Sequence, residues 1–502
     1  MDARHGRGKW RPLRRFVIFQ HHNDKWRAID DGSAALHNEA ISAASRVHTA
    51  EPVWAAAVAR RFWHKRNELR AHHDSSATPF HLCGGCDDEK SAYRWKGVRP
   101  EDMRFNIVAY WDSKRNRVMF VELWGHPFGL ASSVLTYNRD PELHVAMMRT
   151  LFFSPCTHFY DDHLSIDLAC AGGSGQFAYS DLCRLTGKHL DADKHSNMSP
   201  SVVFAGCDLN MESVFNEDFM ILGPKEGRLE NISLLIRQMF EANRCTPAQA
   251  ATLIGKCGFV SSQLQGRFLR FAERPLIERQ YSPLSETALS DRLSSCLRFV
   301  EEAFRRLPPR KVPMSGDDPL AIIYSDAAFQ EGKPISLGWV LFTPSSRPRA
   351  GAMEVPQALS EQFKERKTQI FIGELLGALS AVYSCQAAVK GHRVVHFVDN
   401  QGALAALIGG FSSDADTSAV ACIYQMLMAR LGCRVWFEYV ESASNISDGP
   451  SREGLGWLQS HEAKALGCTM EPAKLPDLRC LERAPATLLE AFFSAVRALD
   501  TA

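Results

Sequence analysis

The chain has 502 residues, 45% hydrophobic and 23% charged, with a formal net charge of +1. That length predicts two to four domains at roughly 100–200 residues each, and the balance excludes a largely disordered or repeat-only chain. No uninterrupted apolar run approaches the ~20 residues of a membrane span, and MDARHGRGKWRPLRRF leads into no apolar signal core. Fourteen scattered cysteines then read as reduced thiols in an intracellular compartment, cytoplasmic or nuclear, with no membrane partner. A pI of about 7.6 gives no whole-chain signature of phosphate binding.

Residues 1–220 read as mixed α+β, with KWRAIDDGS (25–33), DDEKSAYR (87–94), RNRVMFVELW (115–124) and HPFGLASSV (126–134) in series. FYDDH (159–163) predicts a tight hairpin turn that carries Asp161 and Asp162 at its tip. LTGKHLDADK (185–194) and VVFAGCDL (202–209) follow. Over 226–306, segments such as NISLLIRQMFEAN place apolar residues at three- and four-residue intervals, which predicts helices. RRLPPRKVPMSGDDP (305–319) clusters proline, glycine and charge and marks the clearest boundary. Beyond it AIIYSDAA, SLGWVLF, RVVHFVDN and RVWFEYV predict strands, with FIGELLGALSAVYSCQAAV a helix among them. The stretch from 456 reads as a tail with a helical end.

Two-metal phosphoryl transfer needs carboxylates from separate segments that converge on ions ~3.5–4 Å apart. Asp161 and Asp162, adjacent at the tip of the expected hairpin, form one candidate pair. Asp326 at the end of AIIYS, Glu374 on an otherwise apolar helix, Asp399 at the end of RVVHFV and Asp448 in SNISDGPSR form a second. A carboxylate on an apolar helical face needs a reason, because burying it uncompensated is costly.

The ordered series KWR, D-x-x-x-A-Y, P-F-G-L, F-x-D-D, a lysine-bearing segment and VVFAGCDL resembles the fingers and palm of reverse transcriptases. The resemblance implies Asp88 as the first metal-binding carboxylate, because it stands four residues before Ala92 and five before Tyr93; Asp87 is the adjacent alternative. It implies Asp161 and Asp162 as the other carboxylates and Tyr93 as the ring that lies under the incoming sugar and excludes a 2′-hydroxyl. Lys25 and Arg27 would hold the triphosphate, Phe128 and Gly129 would line the nucleotide pocket, and Lys194 is a candidate proton donor to pyrophosphate. Phe159 stands where the family often has tyrosine, and Val134 where many members have proline. The sequence begins close to KWR, so short fingers are expected.

The D…E…D-N…S-D-x-P-S-R series resembles a retroelement ribonuclease H, with Asp326, Glu374, Asp399 and Asp448 as catalytic metal ligands. YVESASN lacks the histidine that some retroviral members carry before the last aspartate, so the likeness is to DIRS-type retrotransposons and pararetroviruses. LIGKCGF (253–259) and QGRFLR (265–270) resemble the thumb and connection of the same elements.

The resemblance implies a right-hand polymerase joined to a mixed-sheet ribonuclease H. Its parts are short fingers and palm over 1–220, helical thumb or connection over 221–312, a ribonuclease H-like domain over 313–455 and a C-terminal tail over 456–502. It implies two Mg²⁺ ions per active site, with Mn²⁺ as a substitute. The partners would be an RNA template, a DNA primer, RNA–DNA hybrid and deoxynucleoside triphosphates. The alternative is a degenerate or domesticated relative that binds primer–template without copying it.

Three other signals are set aside. CGGC (83–86) lacks a second metal-ligand pair and reads as a tight turn leading into the Asp88 strand. The His21-His22 and His72-His73 pairs read as surface residues. Trp95, Trp111 and Trp124 are expected in the core rather than as base-stacking platforms.

Overall fold

The computed structural model describes residues 1–20, 24–43, 46–73, 80–263, 267–306, 309–316 and 318–493. The protein is a mixed α/β structure with four sheets among the described residues, and it divides into two compact units. One comprises residues 1–222 and 311–314, the other 223–310 and 315–502.

In the first unit a four-stranded sheet runs in the order Lys25–Asp31, Pro12–Gln20, Ile107–Asp112, Arg117–Glu122. A second has the order Cys156–Phe159, Asp162–Leu168, Leu82–Asp88, Ser196–Ser199. All seven residues of Leu82–Asp88 are buried, so CGGC is part of a strand rather than a turn. The physical reason lies with its glycines: a Cβ on Gly84 would sit 2.6 Å from the Val202 side chain, and one on Gly85 2.6 Å from Gln176. Strand alternation sends Cys83 and Cys86 to opposite faces, so this pair is no metal site. FYDDH is a hairpin as expected: Phe159 pairs with Asp162, leaving Tyr160 and Asp161 as a two-residue turn with Tyr160 at φ +54°. The helices Ala131–Leu151 and Ser174–Leu185 meet over a small core of Val145, Met148, Tyr179, Leu182 and Cys183.

The expected tryptophan burial is not found. Trp95, Trp111 and Trp124 are 54%, 59% and 72% exposed. Trp111 lies in a sheet with apolar residues on both faces, where Phe16, Val17, Ile18, Val118 and Phe120 are exposed too. Hydrophobic side chains on such a sheet carry no information about which face is covered. His73 packs against Phe80, with ring centroids 5.2 Å apart; His21 and His22 lie outside the described residues.

The second unit is built on a six-stranded mixed sheet in the order Arg434–Tyr439, Arg393–Val398, Leu320–Ala328, Ser336–Thr343, Ser346–Glu354, Thr469–Pro472. The first three strands are parallel to one another, the next two run antiparallel as a meander, and Thr469–Pro472 lies parallel on the edge. Helices Ile370–Ser384 and Ala415–Arg430 pack on the sheet through faces that are buried almost throughout.

The helices Arg228–Glu241, Pro247–Gln263, Arg270–Gln280 and Asp291–Arg306 share one continuous hydrophobic core with that sheet and with Leu488, Leu489 and Phe492. The Asp291–Arg306 helix contributes Leu293, Leu297, Val300 and Phe304, the three- and four-residue spacing of an amphipathic face. Polar links run alongside: Arg267 donates to the Ile408 carbonyl at 2.7 Å, and Cys422 Sγ lies 3.5 Å from the Phe268 carbonyl. The helices over 228–306, the sheet and the helix Ala484–Phe493 are thus joined by packing as well as by sequence, within one compact unit. Gln265 and Gly266 of QGRFLR lie outside the described residues.

Inside this unit His396 is fully enclosed, bonded to Ser325 Oγ through Nε2 at 2.9 Å and to the Tyr424 hydroxyl through Nδ1 at 2.8 Å. Burial holds its pKa down to about 3, so between pH 6.5 and 3 the unfolded chain takes up a proton that the folded chain refuses. Stability is therefore fully present above pH 6.5 and falls as pH drops, by ~1.4 kcal/mol per pH unit for one such group. In urea unfolding at pH 7, 5.5 and 4.5, His396→Gln is expected to be less stable at pH 7 but to lose less on acidification. An acid dependence as steep as wild type would refute this role.

Candidate active sites

The first site is assembled from three separated segments. In the antiparallel pair Leu82–Asp88 and Asp162–Leu168, Asp88 lies directly opposite Asp162, so their side chains share one face. Asp161 follows at the hairpin tip, where its carbonyl accepts from the Glu89 amide at 3.0 Å. Lys194 comes from a short 3₁₀ turn and donates through Nζ to Asp88 Oδ1 at 2.6 Å.

Alternation along the strand sends Asp87 and Asp88 to opposite faces. Asp87 faces the other way, where it accepts from Gln176 at 3.1 Å and meets His195 Nδ1 at 2.7 Å. That bond raises the His195 pKa. Asp87 is thus committed to a structural network, and Asp88 faces the hairpin.

The electrostatics describe an anionic site. Burial pushes Asp162 up to about 7, helped by the charges of Asp161 and Asp88. Burial likewise raises Asp161, with Asp88 adding to it. Burial alone would lower Lys194, but its bond to Asp88 and the charges of Asp161 and Asp162 leave it raised. One ammonium faces three carboxylates, and the residual negative charge is what a divalent cation neutralises.

Tyr93, in the 3₁₀ helix Ala92–Trp95, joins this neighbourhood. Burial pushes its phenol up to about 12, with the Asp161 charge contributing. Its ring centroid lies 5.0 Å from Phe128 and 4.9 Å from Tyr137. Gly129, at φ +102°, passes so close to Asp30 that a Cβ would sit 1.9 Å from the Asp30 carbonyl oxygen. Asp30 in turn accepts from Arg15 at 2.6 Å and from Arg94 at 3.1 Å. The expected pocket residues Tyr93, Phe128 and Gly129 are therefore neighbours, held by an Asp30–Arg94 link that the sequence did not single out.

Arg27 is exposed in the edge strand Lys25–Asp31, and among the described residues no ion pair joins it to the carboxylates. Lys25 begins the same strand as Arg27, opposite Gln20 of the neighbouring strand Pro12–Gln20; its side chain lies outside the described residues.

The second site is tighter. Asp326, Glu374 and Asp399 each offer a ligand atom, and these atoms all lie within 4.8 Å of one another. Asp326 is near the end of the central strand Leu320–Ala328, Asp399 follows the neighbouring parallel strand Arg393–Val398, and Glu374 projects from the helix Ile370–Ser384. Two glycines permit the approach. A Cβ on Gly377 would sit 2.8 Å from the Asp326 carbonyl oxygen, and one on Gly338 would sit 2.2 Å from the Ser451 amide.

Burial pushes Glu374 up to about 9, with Asp326 and Asp399 adding repulsion, and its Oε2 has no hydrogen-bond partner. Asp326 is pushed to about 6, first by burial, against a lowering bond from Ser451 Oγ. Asp448 stands outside the tight group: Arg452 holds its Oδ1 at 2.7 Å, and its charge is felt at Asp326 and Glu374. Asn445 anchors the preceding loop, donating to the Ser325 carbonyl at 3.2 Å. Ser451 and Asn445 lie within SNISDGPSR, so their proximity to Asp448 was the available sequence signal.

An orphaned buried carboxylate oxygen amid two further acids fits a divalent cation, whose oxygen ligands this set supplies. Among the described residues no helix is long and apolar enough to cross a membrane.

No protein-family model and no curated protein sequence matches this chain. Solved structures do resemble it in chain trace. A foamy viral protease-reverse transcriptase, dRH form, in complex with double-stranded DNA has 9% identity and a TM-score of 0.43, covering 86% of this chain and 65% of the other. The foamy viral protease-reverse transcriptase with RNA/DNA hybrid has 10% identity and 0.43, covering 86% and 50%. The complex with dsDNA has 11% identity and 0.42, covering 86% and 78%. The chain thus spans less than two thirds of the first two. These likenesses concern backbone path at low identity and assign no residue a role.

If the second site takes a cation, millimolar Mn²⁺ should raise the thermal midpoint of the wild-type chain; an ion at 100 times its Kd stabilises by about 2.7 kcal/mol. The double substitution Asp326→Asn with Asp399→Asn should abolish that rise in differential scanning calorimetry. A rise of the same size in the variant would place the ion elsewhere.

Proposed function

We propose that the chain is a reverse transcriptase with a linked ribonuclease H-like unit. It would copy RNA and DNA templates from a DNA primer and hydrolyse the RNA strand of the resulting hybrid. The observation that carries this reading is Asp88 set opposite Asp162, with Asp161 at the hairpin tip and Lys194 bonded to Asp88. On this reading 1–220 supplies fingers and palm, 221–312 the thumb or connection, 313–455 the ribonuclease H-like part and 456–502 the tail.

In the polymerase site Asp88, Asp161 and Asp162 would hold two Mg²⁺ ions, or Mn²⁺ in their place. Bound ions supply neutralisation of the attacking and leaving oxygens in an in-line displacement. The chain's own groups do the rest by position and charge. Lys25 and Arg27 bind the triphosphate, a task suited to a guanidinium fork. Phe128 and Gly129 line the nucleotide pocket, and the Tyr93 ring closes the space a 2′-hydroxyl would need. Lys194 Nζ holds a proton beside Asp88 and delivers it to the departing pyrophosphate.

In the ribonuclease site Asp326, Glu374, Asp399 and Asp448 would hold the ions, while Asn445 and Ser451 fix the segment that carries Asp448. The absence of a histidine from YVESASN favours a DIRS-type or pararetrovirus-like retroelement as the source class.

Primer extension from deoxynucleoside triphosphates should disappear in Asp161→Asn and in Asp88→Asn. Cleavage of RNA–DNA hybrid should be lost in Asp399→Asn while extension persists. Extension that survives both palm substitutions would sink the polymerase assignment. Hybrid binding with no extension by the wild-type chain would favour the domesticated, non-copying alternative.

A further inference from the structure

Beneath Tyr93 lies a buried polar chain that none of the assigned roles uses. Tyr137, on the helix Ala131–Leu151, is 1% exposed and meets the Tyr93 ring edge-on at 85°. Its hydroxyl donates to Glu89 Oε2 at 2.8 Å, and Lys188 Nζ donates to the same oxygen at 2.8 Å. Lys188 also reaches Asp140 Oδ2 at 3.0 Å, which Lys96 engages from the other side. Glu89 and Lys188 side chains are 2% and 4% exposed.

Such a pair is a costly way to fill a core. Desolvating two charges offsets most of their attraction, and apolar residues of similar volume often stabilise as well or better. Glu89 even leaves Oε1 without a partner. What the arrangement does supply is direction. A ring held only by packing can slide within its cavity, whereas a phenol bonded to a carboxylate that a lysine fixes cannot.

The direction matters because of where Glu89 sits. It follows Asp88 in sequence, its amide holds the Asp161 carbonyl, and its side chain aims Tyr137 at Tyr93. One residue thus couples the hairpin tip to the wall of the nucleotide pocket.

We infer that Tyr137, held by Glu89 and Lys188, is a positioning residue that fixes the Tyr93 ring and so sets discrimination against ribonucleoside triphosphates. The inference rests on the polymerase reading and deepens it. Tyr137 need touch no nucleotide; it acts through Tyr93.

The test is single-nucleotide primer extension with dCTP and with CTP, comparing kcat/KM for the two. Tyr137→Phe keeps the ring and removes one oxygen. The deoxy-to-ribo preference should fall by about tenfold, the scale of losing one hydrogen bond to a charged group. Replacing Glu89→Leu together with Lys188→Met removes both charges at once, so neither is left buried alone, and should lower the preference similarly. A wild-type preference in either soluble, folded variant overturns the inference. An equal loss with both nucleotides, leaving the ratio intact, overturns it too, because a merely structural role predicts that pattern. A wild-type chain that extends with neither nucleotide fails the polymerase reading itself and takes the inference with it.

Discussion

Like charge held against like charge is the constraint on which both sites depend. At each, carboxylates are drawn from separate segments to positions where they repel one another and where burial denies them water. Burial and repulsion together push Glu374 to about 9 and Asp162 to about 7. A chain left to its own electrostatics would move these groups apart. The surrounding structure prevents it by making the approach rigid: residues adjacent in two-stranded register at one site, a helix lying on a parallel strand pair at the other.

That rigidity is achieved with small residues and backbone rather than with counter-charges. Gly377 lets its helix come within van der Waals contact of the Asp326 backbone, and Gly338 leaves room for the segment carrying Ser451. A side chain at either position would lift Glu374 or Asp448 away from Asp326. At the first site the equivalent restraint is the ladder itself, since Asp88 and Asp162 cannot separate without breaking the strand pair. Lys194 offsets part of the negative charge but, with its side chain half exposed, is held by one carboxylate alone. Local stability and chemical readiness are thus opposed, as expected where unfavourable charge is concentrated for use.

Sequence pattern exposed what depends on order along the chain and missed what depends on which faces meet. The hairpin at FYDDH, the strand that carries Asp326, the strand that leads into Asp399 and the helix that carries Glu374 follow from alternation and periodicity, and all are present. Alternation also separates the faces of Asp87 and Asp88 once the strand is seen to run through both, a step blocked by reading CGGC as a turn. Two adjacent glycines look like a break; here they are a place where a strand is crowded from both faces. The tryptophans mislead for the opposite reason, since apolar residues on both faces of a strand leave the covered side undetermined. Least visible was the shared core beneath the helices of 228–306, because an amphipathic face states that it is buried and not against what.

The near-zero net charge illustrates the same limit. Residues 1–15 carry six lysines and arginines against one acid, and 221–312 carry fifteen against nine. The balancing acids are spent locally. Asp30 sits between Arg15 and Arg94, Asp414 and Asp416 clamp Arg366, and Asp140 lies between Lys96 and Lys188. Others are gathered at the two carboxylate sites, where positive ions would cancel them. Charge that is paired internally or reserved for metal contributes little to the field a polyanion meets, whereas unpaired basic side chains contribute fully within a Debye length of ~8–10 Å. A whole-chain sum weights the two equally, so a formal charge of +1 is compatible with strongly basic surfaces and strongly acidic centres in one molecule.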